Sequence, residues 1–179
     1  MIRPGSLRRF VALVLAGAAA RATGGVLDVA ENGFTLRETV TVTAPPDKAY
    51  AAMLDVAKWW SPDHTYSGNA ANLSIDPRAT GCWCEKLPNV GGVRHMTVVY
   101  VAPGKAIRFE GGLGPLQSMG LSGSMTWKFD AQEKGTAVEV RYAVGGYNPG
   151  GLKEVAPIVD GVLRAQVERF QRYVDTGKP

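Results

Sequence analysis

The chain has 179 residues and a formal net charge of +4, from 20 Lys and Arg against 16 Asp and Glu. Residues 1–22 contain four arginines and no acidic residue. The remaining chain therefore has balanced charge and no basic run, which argues against nucleic acid or another polyanion as its partner. The 2 cysteines are too few for a disulfide scaffold, and the length fits one domain with its own core.

Residues 1–22 have the pattern of a secretory signal. Arginines precede an apolar run at 10–20 (FVALVLAGAAA), and Ala20-Arg21-Ala22 is a small-x-small cleavage site. The run is too short to span a bilayer as a mature helix. An ordinary N-terminal helix is the alternative, and it is disfavoured because the run is apolar on every face and Gly24-Gly25 follows it.

We therefore expect a signal at 1–22, a linker at 23–32 and one domain at 33–179. The mature protein is expected in the periplasm or outside the cell, with no stable membrane anchor after cleavage. The pair Arg8-Arg9 hints at a twin-arginine signal and leaves the choice between the two export routes open. The sequence also leaves the oligomeric state open.

The predicted domain opens with a strand and two short helices. From Gly33 to Thr43, apolar and polar residues alternate, which indicates a half-buried strand. Pro45-Pro46 ends this strand, and a helix is expected to begin near Pro46 because proline is tolerated in a first turn. The helical stretch is expected to end at Trp59-Trp60-Ser61-Pro62.

The middle of the chain predicts a sheet, and its end predicts a helix. Further strands are expected near 72–76, 80–86, 93–101, 105–111, 118–129 and 135–144. After the glycine-rich segment 145–151, apolar residues follow at helical spacing: Val155, Val159, Val162, Leu163, Val167, Phe170 and Val174. Pro157, in the first turns of this helix, is expected to end or kink it. The predicted fold is α+β, a curved antiparallel sheet of about seven strands wrapped around a long C-terminal helix.

Several local strings resemble the START-like superfamily, also called SRPBCC or Bet v 1-like, which has a helix-grip fold. They are Ala44-Pro45-Pro46-Asp47-Lys48-Ala49-Tyr50, Trp59-Trp60-Ser61-Pro62, Gly81-Cys82-Trp83-Cys84-Glu85, 98–105 and 111–116. The first two strings are most similar to the branch of Hsp90-ATPase-activator-like and polyketide cyclase/dehydrase-like domains. The resemblance implies a ligand cavity between sheet and helix, and it does not fix an activity. Export would remove the cytosolic co-chaperone role.

The hairpin at 80–101 carries a group of possible metal ligands. A turn at 88–91 would place Cys84 opposite His95, so that Cys82, Cys84 and His95 share one face, and Glu85 would form an ion pair with Arg94 on the other. Two thiols and an imidazole suit zinc or copper, or a thiol nucleophile beside a base. Simple packing of the cysteines is favoured, with a bulge-assisted disulfide and a metal or thiol site as alternatives.

Glu38 is an acidic residue in an apolar row. It falls in phase with Leu36 and Val40, so the alternation points its side chain into the protein. A buried carboxyl group can be a polar anchor or an acid/base in a cavity. A bulge, or a strand end at which the Glu38 side chain reaches water, is the favoured alternative. Glu38 and His95 are the candidate catalytic residues.

Seven large side chains are predicted to line the gap between sheet and helix, as cavity wall or as ordinary core: Trp59, Trp60, Met119, Met125, Trp127, Tyr142 and Phe170. The predicted function is binding of a small hydrophobic or amphipathic molecule. Two alternatives remain, a cyclase/dehydrase-like enzyme using Glu38 or His95, and a protein-interaction module without a cavity. No cofactor is indicated, because the glycine-rich segments lack a phosphate-loop Lys-Ser/Thr.

Overall fold

The architecture is a single antiparallel sheet with one long helix packed on it. The structure is a computed structural model that describes residues 22–179, so the predicted signal lies outside the described residues except for Ala22. The strands are β1 (Thr23–Ala30), β2 (Gly33–Val42), β3 (Leu73–Ile75), β4 (Cys82–Lys86), β5 (Gly92–Ala102), β6 (Ala106–Glu110), β7 (Ser122–Gln132) and β8 (Gly135–Gly145). Their order in the sheet is β1-β2-β8-β7-β6-β5-β4-β3.

Residues 22–179 also form three α-helices, namely α1 (Pro46–Leu54), α2 (Val56–Trp59) and α3 (Val155–Thr176). The predicted helix-grip fold, with two short helices and a long C-terminal helix, is confirmed. Pro157 lies within α3 and does not end it, because it is the third helical residue, where the backbone N–H has no partner within the helix. Gly177 ends α3 in the left-handed conformation, with φ of 77°.

The sheet has eight strands rather than about seven because the predicted linker at 23–32 contains β1. This strand pairs antiparallel with β2, from Thr23 opposite Thr39 to Ala30 opposite Gly33. Most of its residues are exposed, so it lacks the alternation that marks a half-buried strand. The prediction of a linker was therefore wrong for this segment.

The predicted strand at 118–129 begins later, at Ser122. A short 3₁₀ helix, Gly114–Leu116, and a turn occupy the preceding residues. Gly120, with φ of 72°, takes a left-handed conformation in this turn. Met119 therefore lies in a loop over the end of the sheet instead of within it.

The core lies between the concave face of the sheet and α3. Trp59, Trp127 and Phe170 form its centre, with ring centroids 5.4–5.7 Å apart in tilted or edge-to-face geometry. All three side chains are fully buried. This aromatic cluster fills the space under the C-terminal half of α3. No helix in the described part of the chain is long and apolar enough to cross a membrane.

Candidate functional site

A cavity of about 370 Å³ lies under the N-terminal half of α3. Its lining comes from α3, from the loop after α2, from the segment before β7 and from the sheet. These residues are Val155, Ile158, Val159, Val162 and Leu163; Trp60, Asp63, His64, Thr65 and Tyr66; Leu113, Gly114, Pro115, Leu116 and Met119; and Leu73, Trp83, His95 and Tyr142. Ile158 and Tyr66 are exposed and mark the mouth of the cavity.

The cavity exists because the two halves of α3 present side chains of different size to the sheet. Val155, Val159 and Val162 have short side chains that line the cavity, and Val155 and Val159 are only partly buried against the core. In the C-terminal half, Phe170 spans the same distance and packs between Trp59 and Trp127. The gap is therefore filled at one end and open at the other.

The seven predicted wall residues divide between this cavity and the core. Trp60, Met119 and Tyr142 line the cavity. The other four, Trp59, Met125, Trp127 and Phe170, are fully buried in the packed core and do not line it. Contact of any of the seven with a ligand stays a prediction.

Sequence reasoning missed Trp83 and the loop that carries Tyr66. Trp83, on β4, is almost completely buried and forms a wall of the cavity beside Trp60, with ring centroids 5.0 Å apart. The signal was present, because Trp83 is the apolar residue between two cysteines in a short strand. The loop of Tyr66 gave no signal, since it is polar and its position depends on contacts distant in sequence.

Glu38 is fully buried on β2, and it does not line the cavity. Its Oε1 atom lies 3.3 Å from Nε of Arg164 on α3, so the expected escape to water through a bulge was wrong. Burial and a hydrogen bond with the Asp160 side chain raise the pKa of Glu38 to about 7, against the attraction of Arg164.

His95 pairs with Glu85 instead of lying beside the cysteines. The register of β4 and β5 shifts between Trp83 and Cys84, so Cys84 pairs with Arg94 and His95 has no direct partner. His95 Nε2 lies 3.0 Å from Glu85 Oε2, and both side chains are almost completely buried. The predicted face shared by Cys84 and His95, and the predicted ion pair of Glu85 with Arg94, were therefore wrong.

Cys82 and Cys84 form a disulfide, which was the less favoured expectation. Their Cα atoms are 5.4 Å apart, well within bridging distance. A disulfide offers no thiolate, so the proposed metal or thiol site of Cys82, Cys84 and His95 is not formed. In residues 22–179, no cluster of three or more His, Cys, Asp or Glu could hold a metal ion.

Two other buried side chains that line the cavity donate hydrogen bonds to backbone carbonyls. The Trp60 indole N–H donates to the carbonyl of His64 at 2.9 Å. The Tyr142 hydroxyl donates to the carbonyl of Gly111 at 3.0 Å and accepts from the N–H of Leu113 at 3.1 Å. Burial raises the pKa of Tyr142 to about 12, so its hydroxyl stays protonated. The two hydrogen bonds of Tyr142 hold the start of the loop at 111–116 against the sheet.

The sequence agrees with one family over most of its length. The family model described as polyketide cyclase / dehydrase and lipid transport matches residues 33–175. The chain belongs to this family. The match covers β2 to α3 and confirms the resemblance to START-like domains; no curated protein sequence matches the chain.

Several solved structures have the same fold. EF2215 from Enterococcus faecalis, titled a conserved protein of unknown function, has a TM-score of 0.59 at 12% identity over 88% of this chain and 79% of that one. The Aha1 dimer from Colwellia psychrerythraea has a TM-score of 0.55 at 16% identity, over 81% and 98%. DynU16, titled a putative protein in the dynemicin biosynthetic locus, has a TM-score of 0.57 at 22% identity, over 81% and 48%. The chain thus spans about half of DynU16, and at these identities the likeness concerns the fold.

Proposed function

We propose that the mature protein binds a small hydrophobic or amphipathic molecule in the cavity under the N-terminal half of α3. The observation that carries this proposal is the cavity itself, whose volume of about 370 Å³ is in the range of small-molecule sites. Its walls are valines, leucines, Met119 and aromatic rings, and its few polar groups lie at one side and at the mouth. The lipid-transport part of the family description agrees with such a ligand.

We propose further that binding takes place after export. The charged, apolar and small-residue segments of residues 1–22 support a cleaved signal. The Cys82–Cys84 disulfide is consistent with an oxidising compartment, where disulfides persist. The periplasm and the medium outside the cell both fit these observations.

A matched pair of tryptophan substitutions tests the cavity. Val162 lines the cavity on α3, whereas Ala165, one turn further along, is exposed on the same helix. Val162→Trp would fill the space, so it should reduce binding of the fluorescent probe N-phenyl-1-naphthylamine at least tenfold. Ala165→Trp should leave binding unchanged. Equal binding by both variants would place the probe elsewhere and refute the proposal.

The second candidate is a cyclase/dehydrase-like enzyme in the same cavity, and the Glu85–His95 pair favours it. A carboxylate that orients an imidazole is a common arrangement for proton transfer. Glu38, the other predicted acid/base, does not line the cavity, so it supports an enzymatic function less than His95 does. Loss of turnover of a candidate polyketide substrate in a folded His95→Gln variant would support this function. The cavity argues against the third alternative, an interaction module with a filled core.

A further inference from the structure

The Cys82–Cys84 disulfide joins two residues of one strand, β4, with only Trp83 between them. It therefore ties no two separate elements of the fold together. The strand is held in the sheet by its pairing with β3 on one side and β5 on the other. A disulfide that closes so short a loop constrains the unfolded chain little, so its loss removes little of the free energy of unfolding. We therefore expect the fold to survive reduction of this disulfide.

The disulfide lies on the outer face of the sheet, which is the face turned away from α3. Trp83 and Glu85 are buried on the inner face. Because side chains alternate along a strand, Cys82 and Cys84 face outward. Both cysteines are partly exposed, so the disulfide belongs to the protein surface and not to the core. Access from solution is what exchange with an external thiol requires.

The two cysteines have different electrostatic surroundings. Arg94 on β5 is the residue directly opposite Cys84, and it is exposed. Lys86, also exposed, is the next outward residue of β4 after Cys84. The residue opposite Cys82 is the neutral Thr97. Positive charge beside a sulfur favours its thiolate, so Cys84 is the better leaving group when the disulfide opens.

We propose that Cys82–Cys84 is a reversible thiol–disulfide exchange site whose substrate class is a dithiol, with Cys84 as the leaving thiolate and Arg94 as the residue whose charge stabilises it. The site lies on the opposite face of the sheet from the cavity, and the inference goes beyond the proposed function. It gives a chemical role to a disulfide that the architecture of the sheet does not need.

The exchange is a two-step transfer of two electrons. A thiolate of the dithiol attacks Sγ of Cys82, the bond between the two Sγ atoms breaks, and its electron pair leaves on Cys84. The second thiolate of the dithiol then attacks the sulfur of its own molecule in the mixed disulfide and releases Cys82. The protein disulfide gains two electrons and two protons, and the dithiol becomes a disulfide. The reverse steps restore the bond between Cys82 and Cys84.

Treatment with dithiothreitol tests whether the exchange is reversible. Oxidised wild-type protein should be reduced to two thiols near neutral pH without denaturant, as counted by alkylation and mass spectrometry. Its far-UV circular dichroism spectrum should stay unchanged, because the short closed loop contributes little to the fold. Excess oxidised dithiothreitol should then restore the disulfide.

Substitutions at Arg94 test the electrostatic part of the inference. Arg94→Gln removes the charge opposite Cys84 and should slow reduction by dithiothreitol at least about threefold. Arg94→Lys keeps the charge and should stay close to the wild-type rate. Arg141→Gln is the matched control, because Arg141 is exposed on the same face of the sheet but on the distant strand β8. It should also keep the wild-type rate.

Single-cysteine variants identify the leaving sulfur. Cys84 in the Cys82→Ser variant should react with iodoacetamide at least about threefold faster than Cys82 in the Cys84→Ser variant, because its thiolate is favoured. Addition of Arg94→Gln to the Cys82→Ser variant should remove most of this difference. Circular dichroism confirms that each variant is folded before its rate is measured.

The possible results separate this inference from the function of the cavity. A disulfide that dithiothreitol reduces only in denaturant, or a reduced protein that unfolds, would overturn the inference. Thiols that no oxidant converts to a disulfide would do the same. Equal rates for wild type and Arg94→Gln, together with equal reactivity of the two single cysteines, would refute the roles of Arg94 and Cys84. None of these results changes probe binding in the cavity, which tests the proposed function by itself.

Discussion

Arg164 on α3 places its Nε and Nη2 atoms each 3.3 Å from Glu38 Oε1 on β2, beneath the helix half that covers the cavity. The same guanidinium lies 2.9 Å from Asp160 Oδ2. Glu38 Oε2 and Asp160 Oδ1 are both buried and have no hydrogen-bond partner in the described residues. One cation thus holds two carboxyl groups, and one proton between them balances the charge.

This arrangement predicts that protein stability depends on the protonation of Glu38. Its pKa is about 7 in the folded protein against 4.5 for the free side chain, so the folded state binds the proton more tightly. The free energy of unfolding should therefore fall as pH rises from about 4.5 to about 7 and stay level above that. The loss from this group is at most about 3 kcal/mol. Urea denaturation between pH 4.5 and 8 measures it.

Glu38→Gln is the control for this pH dependence. The amide is neutral at every pH and can still donate to Asp160 and accept from Arg164. The free energy of unfolding of the wild type, relative to that of the variant, should therefore fall as pH rises. Parallel stability curves for the two proteins across pH 4.5–8 would show that Glu38 does not titrate in this range.

Phe170 and Val159, both on α3, should respond differently to truncation. Phe170→Ala removes a ring packed between Trp59 and Trp127 and should reduce the free energy of unfolding by about 3–5 kcal/mol. Val159 lines the cavity, so Val159→Ala only enlarges a space that already exists. It should reduce the free energy of unfolding by less than about 1 kcal/mol. Thermal and chemical denaturation give both values. Similar losses in the two variants would mean that the gap is packed along its whole length.

The Cys82–Cys84 disulfide should be present in the oxidised protein. Alkylation without reductant should modify no cysteine, and reduction should add two alkyl groups to the measured mass. The double variant Cys82→Ser/Cys84→Ser should be less stable by about 1–2 kcal/mol, because the closed loop is short. It should also bind cavity probes more weakly, since Trp83 lies between the two cysteines. Two free thiols before reduction would contradict this account.

The elements with a clear period were predictable from the sequence. The strands β7 and β8 alternate along most of their length, and α3 repeats its apolar residues every three to four positions. This hydrophobic periodicity arises because one face of each strand or helix is buried, and it can be read from the sequence. The edge strand β1 is mostly exposed and lacks this periodicity, so the sequence predicted a linker there.

The candidate site was less predictable, because it depends on the register between strands and on the volume of the side chains under α3. One bulge between Trp83 and Cys84 changes which side chains meet His95, and the residue order does not show a bulge. The assignment of Phe170 to the core and Val159 to the cavity follows from how far each side chain reaches towards the sheet. The partnership of Glu85 with His95 also needs the Tyr66 loop, whose backbone amides keep the carboxylate charged.

Native mass spectrometry tests most directly whether the protein is exported and holds a small hydrophobic or amphipathic molecule under α3. The protein would be exported by its own N-terminal segment and purified without detergent, in parallel with Val162→Trp and Ala165→Trp. The wild type and Ala165→Trp should have the mass of residues 23–179 with one disulfide and an additional mass that is lost on denaturation. Val162→Trp should lack the addition. An addition of equal size and occupancy on Val162→Trp, or none on any of the three proteins, would contradict the account.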